Sequence, residues 1–555
     1  MALTKYNWIL ALITIFFCLS SFMNGANDVA NSYATSVAAR TLTMPQVGFL
    51  AMITEFVGAV ALGNRVTNTI KNGIISIKRF NGKPGSLMLA MASAEFGSAS
   101  WLAIATSVGY PVSTTQTIVG ALIGVGFAAD SPVVWEWKPG SVSQVAASWV
   151  IAPLLAGCFA AIVFSTIKFG VLERSNPFAL GMLAIPFYLA FTCAVLALFM
   201  VVEAPSAPSL EEFGAGKAVG IVLGVFFGIL LLAYIFVRPY LHRRLVKGDS
   251  RIKFYHIPLG PLLMKDDPPL YWPAKADGVV VIDYYENAYS TKDSSVEHLS
   301  DSEKDVAIST SLEKANPLVV PTARNRIVTP EERFLAPSKH LPAAHPSRLY
   351  GCLKYFLFQG VTRDCVSHED PRLQATHARC KVYDNRTEHL FTYCQVLSAM
   401  LMSIAHGSND VANAVGPWAA TYSTWRANEV ATKVPTPVWM LVIAGFLLGA
   451  GFWFFGFKII RALGNRITQM SPSRGFSTEL GAAITVLLAS RVGLPVSTTQ
   501  CLAGATVGVA LMNFDVRAVN WRQILFIFSG WILTLPCAGL LSGLVMAMAL
   551  NAPHL

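Results

Sequence analysis

At 555 residues, with 54% hydrophobic and 13% charged residues and a mean hydropathy of +0.50, the chain is too apolar for a water-soluble fold, in which about a quarter of residues are charged. Its formal charge of +10 sits mainly in loops and at helix ends, where Lys and Arg set topology and meet anionic lipid. No basic stripe with interleaved aromatics marks a nucleic-acid partner. Nine Cys in so long a chain make no disulfide framework.

In chain order, residues 8–23 predict a first, retained membrane helix, because a polar motif follows at once and no cleavage pattern separates the two. That motif is Gly25-Ala26-Asn27-Asp28-Val29-Ala30-Asn31-Ser32. Residues 47–62 predict a second helix, which contains Glu55; a polar connection with Lys71, Lys78, Arg79 and Lys83 follows. Residues 86–108, rich in small side chains and carrying Glu95, run into Gly109-Tyr110-Pro111-Val112-Ser113-Thr114-Thr115-Gln116. Gly-Tyr-Pro breaks a helix, and short arms around Pro111 predict a re-entrant hairpin. Residues 142–168, 180–202 and 219–237 then approach the ~20 apolar residues of a membrane helix.

From 242 to 388 charges of both signs, Ser, Pro and His replace the apolar runs, predicting a hydrophilic and largely disordered connection. Arg238, His242, Arg243, Arg244 and Lys247 flank it on one side and Arg379, Lys381 and Arg386 on the other. By the positive-inside rule it faces the cytosol. The basic connection after residue 64 pulls the same way, which leaves first-half topology open. Residues 389–555 form a second membrane region, with apolar runs at 437–457 and 524–550. The chain therefore divides into 1–241, 242–388 and 389–555, an all-α polytopic membrane protein.

The second region repeats the first. Gly407-Ser408-Asn409-Asp410-Val411-Ala412-Asn413-Ala414 lies 382 residues after the first motif (410 less 28). Glu479 and Pro495 each lie 384 after Glu95 and Pro111, and Pro111–Gln116 recurs residue for residue as Pro495–Gln500. Duplicated membrane halves that bind a ligand where they meet are the construction of secondary transporters.

An acid and two amides within apolar sequence cost several kcal/mol unless something polar sits among them. Asn27 and Asn31, four apart, share a helix face; Asn both donates and accepts, while Asp only accepts, as a hard cation or a protonated oxyanion requires. A single copy would read equally as a capped turn or as polar glue between helices; the duplication favours a site. Pro-Val followed by three hydroxyls at a helix start gives free N–H groups at the positive dipole end, a cradle for a tetrahedral anion. Ser113 or Ser497 alone reads as an ordinary N-cap. Glu95 and Glu479 correspond across the repeat, whereas Glu55 has no evident counterpart near 445–447. Each serves a cation or proton, or ends a helix in water. None of these motifs contains Lys or Arg, so an anion bound beside two Asp needs accompanying cations. Arg491, just before the second tip, either helps hold the anion or snorkels. Cys352, Cys365, His368, His377 and Cys380 match no standard zinc spacing.

On these motifs, together with Phe476-Ser477-Thr478-Glu479-Leu480, the chain resembles the inorganic phosphate transporter family, cation-coupled permeases of the sodium-dependent type. The resemblance implies about a dozen membrane segments in two inverted repeats with re-entrant helical hairpins, and a homodimer. It implies phosphate ligands at Asn27, Asp28, Ser113, Thr114, Thr115, Asn409, Asp410, Ser497, Thr498 and Thr499. It implies coupling-cation ligands at Asn27, Asp28, Asn31, Glu55, Glu95, Asn409, Asp410, Asn413 and Glu479, with Na+ or H+ as the ion and no transition metal or organic cofactor. Gln116 and Gln500 stand where many members have His, which bears on pH dependence and on the choice of cation.

The expectation is an electrogenic phosphate symporter of the plasma membrane or an organelle, working by alternating access. A sulfate or other oxyanion permease is the alternative. A phosphate-ester enzyme is disfavoured, because no nucleophile–base pair or metal cage stands among the membrane residues.

Overall fold

The computed structural model describes residues 4–63, 67, 70, 73–138, 140–203, 214–249, 251–270, 282–285, 328–367, 370–430 and 436–552. It is helical, with one isolated β-bridge between Ile75 and Val133 and no named strand among the described residues. Several parts of the basic connection after residue 64, the segment 286–327 and His368 lie outside them.

In the first half, α1 (Asn7–Asp28) bends at Val29 into α2 (Ala30–Ala38), so the motif straddles the joint. Then come α3 (Met44–Leu62), α4 (Pro84–Val108), α5 (Thr114–Ala128), α6 (Val142–Ile167), α7 (Pro177–Glu203), α8 (Ala215–Leu232) and α9 (Arg238–Leu245). The connection contributes α10 (Pro346–Phe358), α11 (Pro371–His377) and α12 (Asn385–Leu390). The second half holds α13 (Thr392–Ala427), α14 (Val438–Phe455), α15 (Phe457–Ile467), α16 (Pro472–Arg491), α17 (Thr498–Leu511) and α18 (Trp521–Asn551). Eight described helical stretches are long and apolar enough to cross a membrane. The 36-residue α13 is not among them, because it is the most polar of the long helices and buries its polar groups inside the protein.

Both hairpin turns follow the chemistry of their residues. Gly109 ends α4 at φ +76° and Gly493 follows α16 at φ +67°, left-handed conformations that glycine adopts without steric cost. Pro111 and Pro495 come two residues later, and Ser113 and Ser497 cap the next helices by accepting from Gln116 N at 3.2 Å and Gln500 N at 3.3 Å. The expected shortness of both arms holds only for the second ones. α5 has 15 residues and α17 has 14, but α4 runs 25 residues, or roughly 37 Å at 1.5 Å per residue. Its Ala- and Ser-rich sequence continues unbroken through Glu95.

The halves interlock by exchanging equivalent neighbours. α1 packs on α14 while α13 packs on α3; α5 packs on α18 while α17 packs on α6. Glycines set these crossings. A Cβ on Gly25 would lie 1.9 Å from Leu448 O, and one on Gly407 would lie 2.6 Å from Glu55 O. Gly120 and Gly504, which are 384 apart, approach Leu535 O and Pro153 O in the same way. Such backbone proximity is how membrane helices associate where lipid removes the hydrophobic drive.

The connection is more ordered than its composition predicts. Tyr285 Oη donates to the buried Glu388 at 2.7 Å, Ser473 N and Oγ donate to the same carboxylate at 2.9 Å, and Tyr284 N donates to Asn385 at 3.1 Å. These residues are held because they satisfy a buried acid at the start of α16. Asp249, bonded by Arg251 and Arg243 beyond α9, is held down to about 2 by those two guanidinium groups. Cys365, His377 and Cys380 are buried and Cys352 is exposed; no metal-holding cluster of them occurs among the described residues.

Candidate functional site

The joint between α1 and α2, the middle of α13 and the tips of both hairpins meet at one buried centre. Asn27 Nδ2 donates to Thr106 Oγ1 and to Tyr110 O, each at 3.0 Å, and Asn27 Oδ1 accepts from Val112 N at 3.1 Å. The second copy follows suit: Asn409, with its amide turned to satisfy both ends, accepts from Ser490 Oγ at 3.2 Å and donates to Val496 O at 3.3 Å. Thr106 and Ser490 are themselves 384 apart, as are Val112 and Val496. The motif Asn residues therefore anchor the hairpin tips.

Each acid takes hydrogen bonds from both hairpins. Asp28 Oδ2 accepts from Thr114 N at 3.1 Å and Thr114 Oγ1 at 2.7 Å, while its Oδ1 accepts from Thr499 Oγ1 at 3.2 Å. Asp410 Oδ2 accepts from Thr498 Oγ1 at 2.8 Å and its Oδ1 from Thr115 Oγ1 at 3.3 Å. The tips also hold one another, because Thr499 Oγ1 shares its single proton between Asp28 and Val112 O, and Thr115 Oγ1 between Asp410 and Val496 O, each carbonyl lying at 3.1 Å. Asn31 Nδ2 reaches Thr499 Oγ1 at 2.8 Å, and Asn413 Nδ2 reaches Thr114 Oγ1 at 3.0 Å. All of these side chains are buried. In this shut arrangement the hydroxyls of the anion cradles are engaged by acids and tip carbonyls.

The acceptors left over suit a hard cation. Asn31 Oδ1 and Asn413 Oδ1 are buried without a hydrogen-bond donor among the described residues. One ligand atom each from Asp28, Asp410 and His406 lies within 4.8 Å of the others. Carboxylate and amide oxygens favour an alkali or alkaline-earth ion over a transition metal.

The three Glu residues fall in three different settings, none in direct contact with the Asp pair. Glu55 accepts from Ser403 Oγ at 2.6 Å and meets His406 Nδ1 at 2.7 Å; His406 Nε2 in turn lies 3.0 Å from Asp410 Oδ2. Its structural counterpart is Leu448, since Glu55 O faces Gly407 as Leu448 O faces Gly25. Glu479 is wrapped by donors: Thr35 Oγ1 at 2.5 Å, Ser36 Oγ and Ser398 Oγ at 2.6 Å, and Gln395 Nε2 at 3.5 Å. Glu95 is buried beside Ser20, and neither oxygen makes a well-formed hydrogen bond among the described residues. By the repeat, the partners of Glu479 correspond to Pro417, Trp418, Phe16 and Ile13, of which only Trp418 carries a side-chain donor, and its indole N–H goes to Thr14 Oγ1 at 3.1 Å.

His406 is the residue whose role sequence reasoning missed. It lies four before Asp410 and so on the same helix face, a signal that was present; the first half has Asn24 there. Ser113 and Ser497 sit at the tips as N-caps. Arg491 is exposed at the end of α16 and takes no part in the site.

The helical framework is shared with known proteins. The profile of the phosphate transporter family matches residues 24–542, and the chain belongs to that family. The phosphate-repressible phosphate permease pho-4 of Neurospora crassa is 39% identical over 100% of this chain and 99% of its own length. The sodium-dependent phosphate transporter 1-A of Danio rerio is 28% identical over 98% of this chain and 94% of its own. A solved structure described as the sodium-dependent phosphate transporter matches with a TM-score of 0.65 at 25% identity, over 98% of this chain and 100% of that one. These relatives are named as transporters and permeases.

Proposed function

We propose that the chain imports inorganic phosphate by symport with Na+ or H+, alternating access to the Asp28–Asp410 centre between the two sides of the membrane. The observation that carries this reading is the crossed pairing of each acid with both hairpins. Phosphate enters where Thr114, Thr115, Thr498 and Thr499 turn their hydroxyls from the carboxylates and tip carbonyls to the anion. The Ser113 and Ser497 hydroxyls and Asn27 and Asn409 line the same tips. Each tip-to-tip bond is a neutral hydrogen bond with a net worth of about 1 kcal/mol, so opening one side is energetically accessible.

Charge balance argues for the cation. No Lys or Arg hydrogen-bonds to the centre among the described residues, and an anion beside two carboxylates requires compensation. Asp28, Asp410, Asn31 and Asn413 hold Na+ in this reading, with Glu479 and Glu55 as further stations and Glu95 in reserve within its apolar surround. The exchanged helix pairs are those expected of two inverted repeats, and the basic flanks of 242–388 favour a cytosolic connection. A plasma-membrane homodimer completes the proposal.

The test is radiolabelled phosphate uptake into proteoliposomes, with a Na+ gradient or a proton gradient imposed separately and sulfate as competitor. Uptake under Na+ alone makes the acids sodium ligands; uptake under protons alone makes one of them a proton carrier. Silence under both gradients with folded protein overturns the symporter, and equal competition by sulfate broadens the substrate to tetrahedral oxyanions.

A further inference from the structure

Outside the transport centre, a cavity of about 120 Å³ lies where the ends of both motif helices meet the connection. That is room for several waters, and hence for a tetrahedral oxyanion. Arg40 and Thr41 follow α2, Arg244 lies in α9, Tyr284 belongs to the connection, and His389 and Thr392 bracket the start of α13. We propose that this cavity is a second oxyanion site, which takes a phosphate group apart from the Asp28–Asp410 centre.

Charge is the first argument. Among the described residues, those lining the cavity include two guanidinium groups and no Asp or Glu. Arg244 is half-buried, and its side chain donates from Nη1 to Tyr240 Oη at 2.9 Å, a neutral acceptor. No ion pair to Arg244 occurs among the described residues, whereas the adjacent Arg243 and the nearby Arg251 both hold Asp249 at 2.9 Å. A guanidinium withdrawn from water without a carboxylate is unfavourable until an anion joins it, and its planar fork matches phosphate oxygens.

The neutral groups fit the same ligand. His389 Nε2 lies 2.9 Å from Ile282 O, so it carries the proton, and Nδ1 accepts from Tyr284 Oη at 3.1 Å. Burial holds the His389 imidazolium down to about 4, so the positive charge of the cavity is that of its arginines. Arg40 adopts φ +56°, a left-handed conformation unfavourable for a residue with a Cβ and one that clusters at binding sites. Thr392 and Tyr393 belong to the first turn of the 36-residue α13 and line the cavity at the positive end of its dipole.

The cavity is wired to the centre. Thr41 Oγ1 donates to Gln395 Oε1, and Gln395 Nε2 reaches Glu479 Oε1 at 3.5 Å. α2 follows Asp28 by a single residue and α13 carries Asp410, so a ligand here touches the ends of both helices. The phosphate group has two sources: the transported ion in transit, or a phosphate monoester on the connection side of the membrane. The first of these rests on the transport reading above; the second does not.

The experiment is equilibrium binding of radiolabelled inorganic phosphate to purified full-length protein. Four forms are compared: wild type, Asp410→Asn, Asp410→Asn with Arg244→Gln, and Asp410→Asn with Thr392→Asp. Thr392→Asp keeps Arg244 and places a carboxylate at a helix start, where it is well tolerated, so the test survives if Arg244→Gln fails to fold. Asp410→Asn protein is expected to retain one saturable site, weakened at least tenfold by either second substitution. Competition by unlabelled glycerol phosphate assigns the site to monoesters, and competition by phosphate alone assigns it to the transported ion. Asp410→Asn protein with no saturable binding, or with binding indifferent to both second substitutions, overturns the proposal. Wild type against Asp410→Asn separately reports the transport centre.

Discussion

Neutralising Asp28 isolates what its charge does, because Asn keeps the shape of the side chain. Asp28 accepts three hydrogen bonds, at 2.7 and 3.1 Å from Thr114 and 3.2 Å from Thr499. A hydrogen bond to a charged group contributes about 1.5–3 kcal/mol and a neutral one about 0.5–1.5. Each bond therefore weakens by ~1 kcal/mol in Asp28→Asn, and the three together by ~3 kcal/mol. At 1.4 kcal/mol per tenfold change, phosphate uptake should fall on the order of 100-fold. Thr114 N–H cannot turn, so the Asn carbonyl must face it and the amide NH2 must face Thr499 Oγ1, which reverses the crossed bond between the halves and leaves it neutral. Thr499→Val removes that contact together with the bonds Thr499 Oγ1 makes to Val112 O and takes from Asn31 Nδ2; the charge-assisted bond alone is ~2 kcal/mol, so uptake should fall at least about 30-fold. Initial rates of uptake into proteoliposomes at matched protein, with gel-filtration profiles to certify folding, measure both. Asp28→Asn within about fivefold of wild type would refute the role assigned to the carboxylate.

Two further predictions concern groups that the repeat does not duplicate. His406→Asn copies the first-half residue Asn24 and leaves Glu55 and Asp410 without the ring that lies 2.7 and 3.0 Å from them; uptake should drop at least tenfold, and Glu55→Gln with His406→Asn should lose less than the product of the single effects, as a double-mutant cycle will show. At Asp249 the carboxyl is held down to about 2 by Arg251 and Arg243, below its unfolded value of about 3.9. Its contribution, of roughly 2–3 kcal/mol, is thus full above pH 4 and is lost as pH falls toward 2. Asp249→Asn should lower the melting temperature of detergent-solubilised protein at pH 7 and remove that part of its acid dependence, whereas an unchanged melting curve would show that the pair contributes nothing.

What the sequence displayed openly was local or repeated. The Asn-Asp motifs, the Gly-x-Pro-Val-Ser-Thr-Thr tips and the apolar runs each carry their signal within a few residues, and duplication separated them from chance. The remaining features depend on which helices cross. Glu55 and Leu448 correspond only through the glycines that bring α3 to α13 and α14 to α1, because the spacing between motif and helix differs in the two halves. Glu95 and Glu479 share an offset and nothing else, since Thr35 and Ser36 come to Glu479 from the other half. Within the connection, Tyr285 is fixed by the buried acid Glu388, whose donors come from residues 285, 471 and 473, a set that only the fold brings together.

The contrast between repeated and unrepeated groups bears on direction. If the halves are inverted as proposed, contacts built from repeated residues, Asn27 with Thr106, Asn409 with Ser490, and the two tip-to-tip bonds, offer similar surroundings to an ion from either face. A centre made of these alone would not distinguish the two sides of a membrane. The unrepeated groups meet along α13: Glu55 of α3 with His406, and Glu479 of α16 with Gln395 and Ser398. Each joins a residue of the second half to a neighbour without an equivalent in the repeat: Leu448 stands in place of Glu55, Asn24 of His406, Ile13 of Gln395 and Phe16 of Ser398. In the symport reading, the symmetric contacts hold phosphate and the asymmetric ones decide on which side its cation is released. Substitutions of the first kind should then change the affinity for phosphate from both sides, and those of the second kind its dependence on the cation from one.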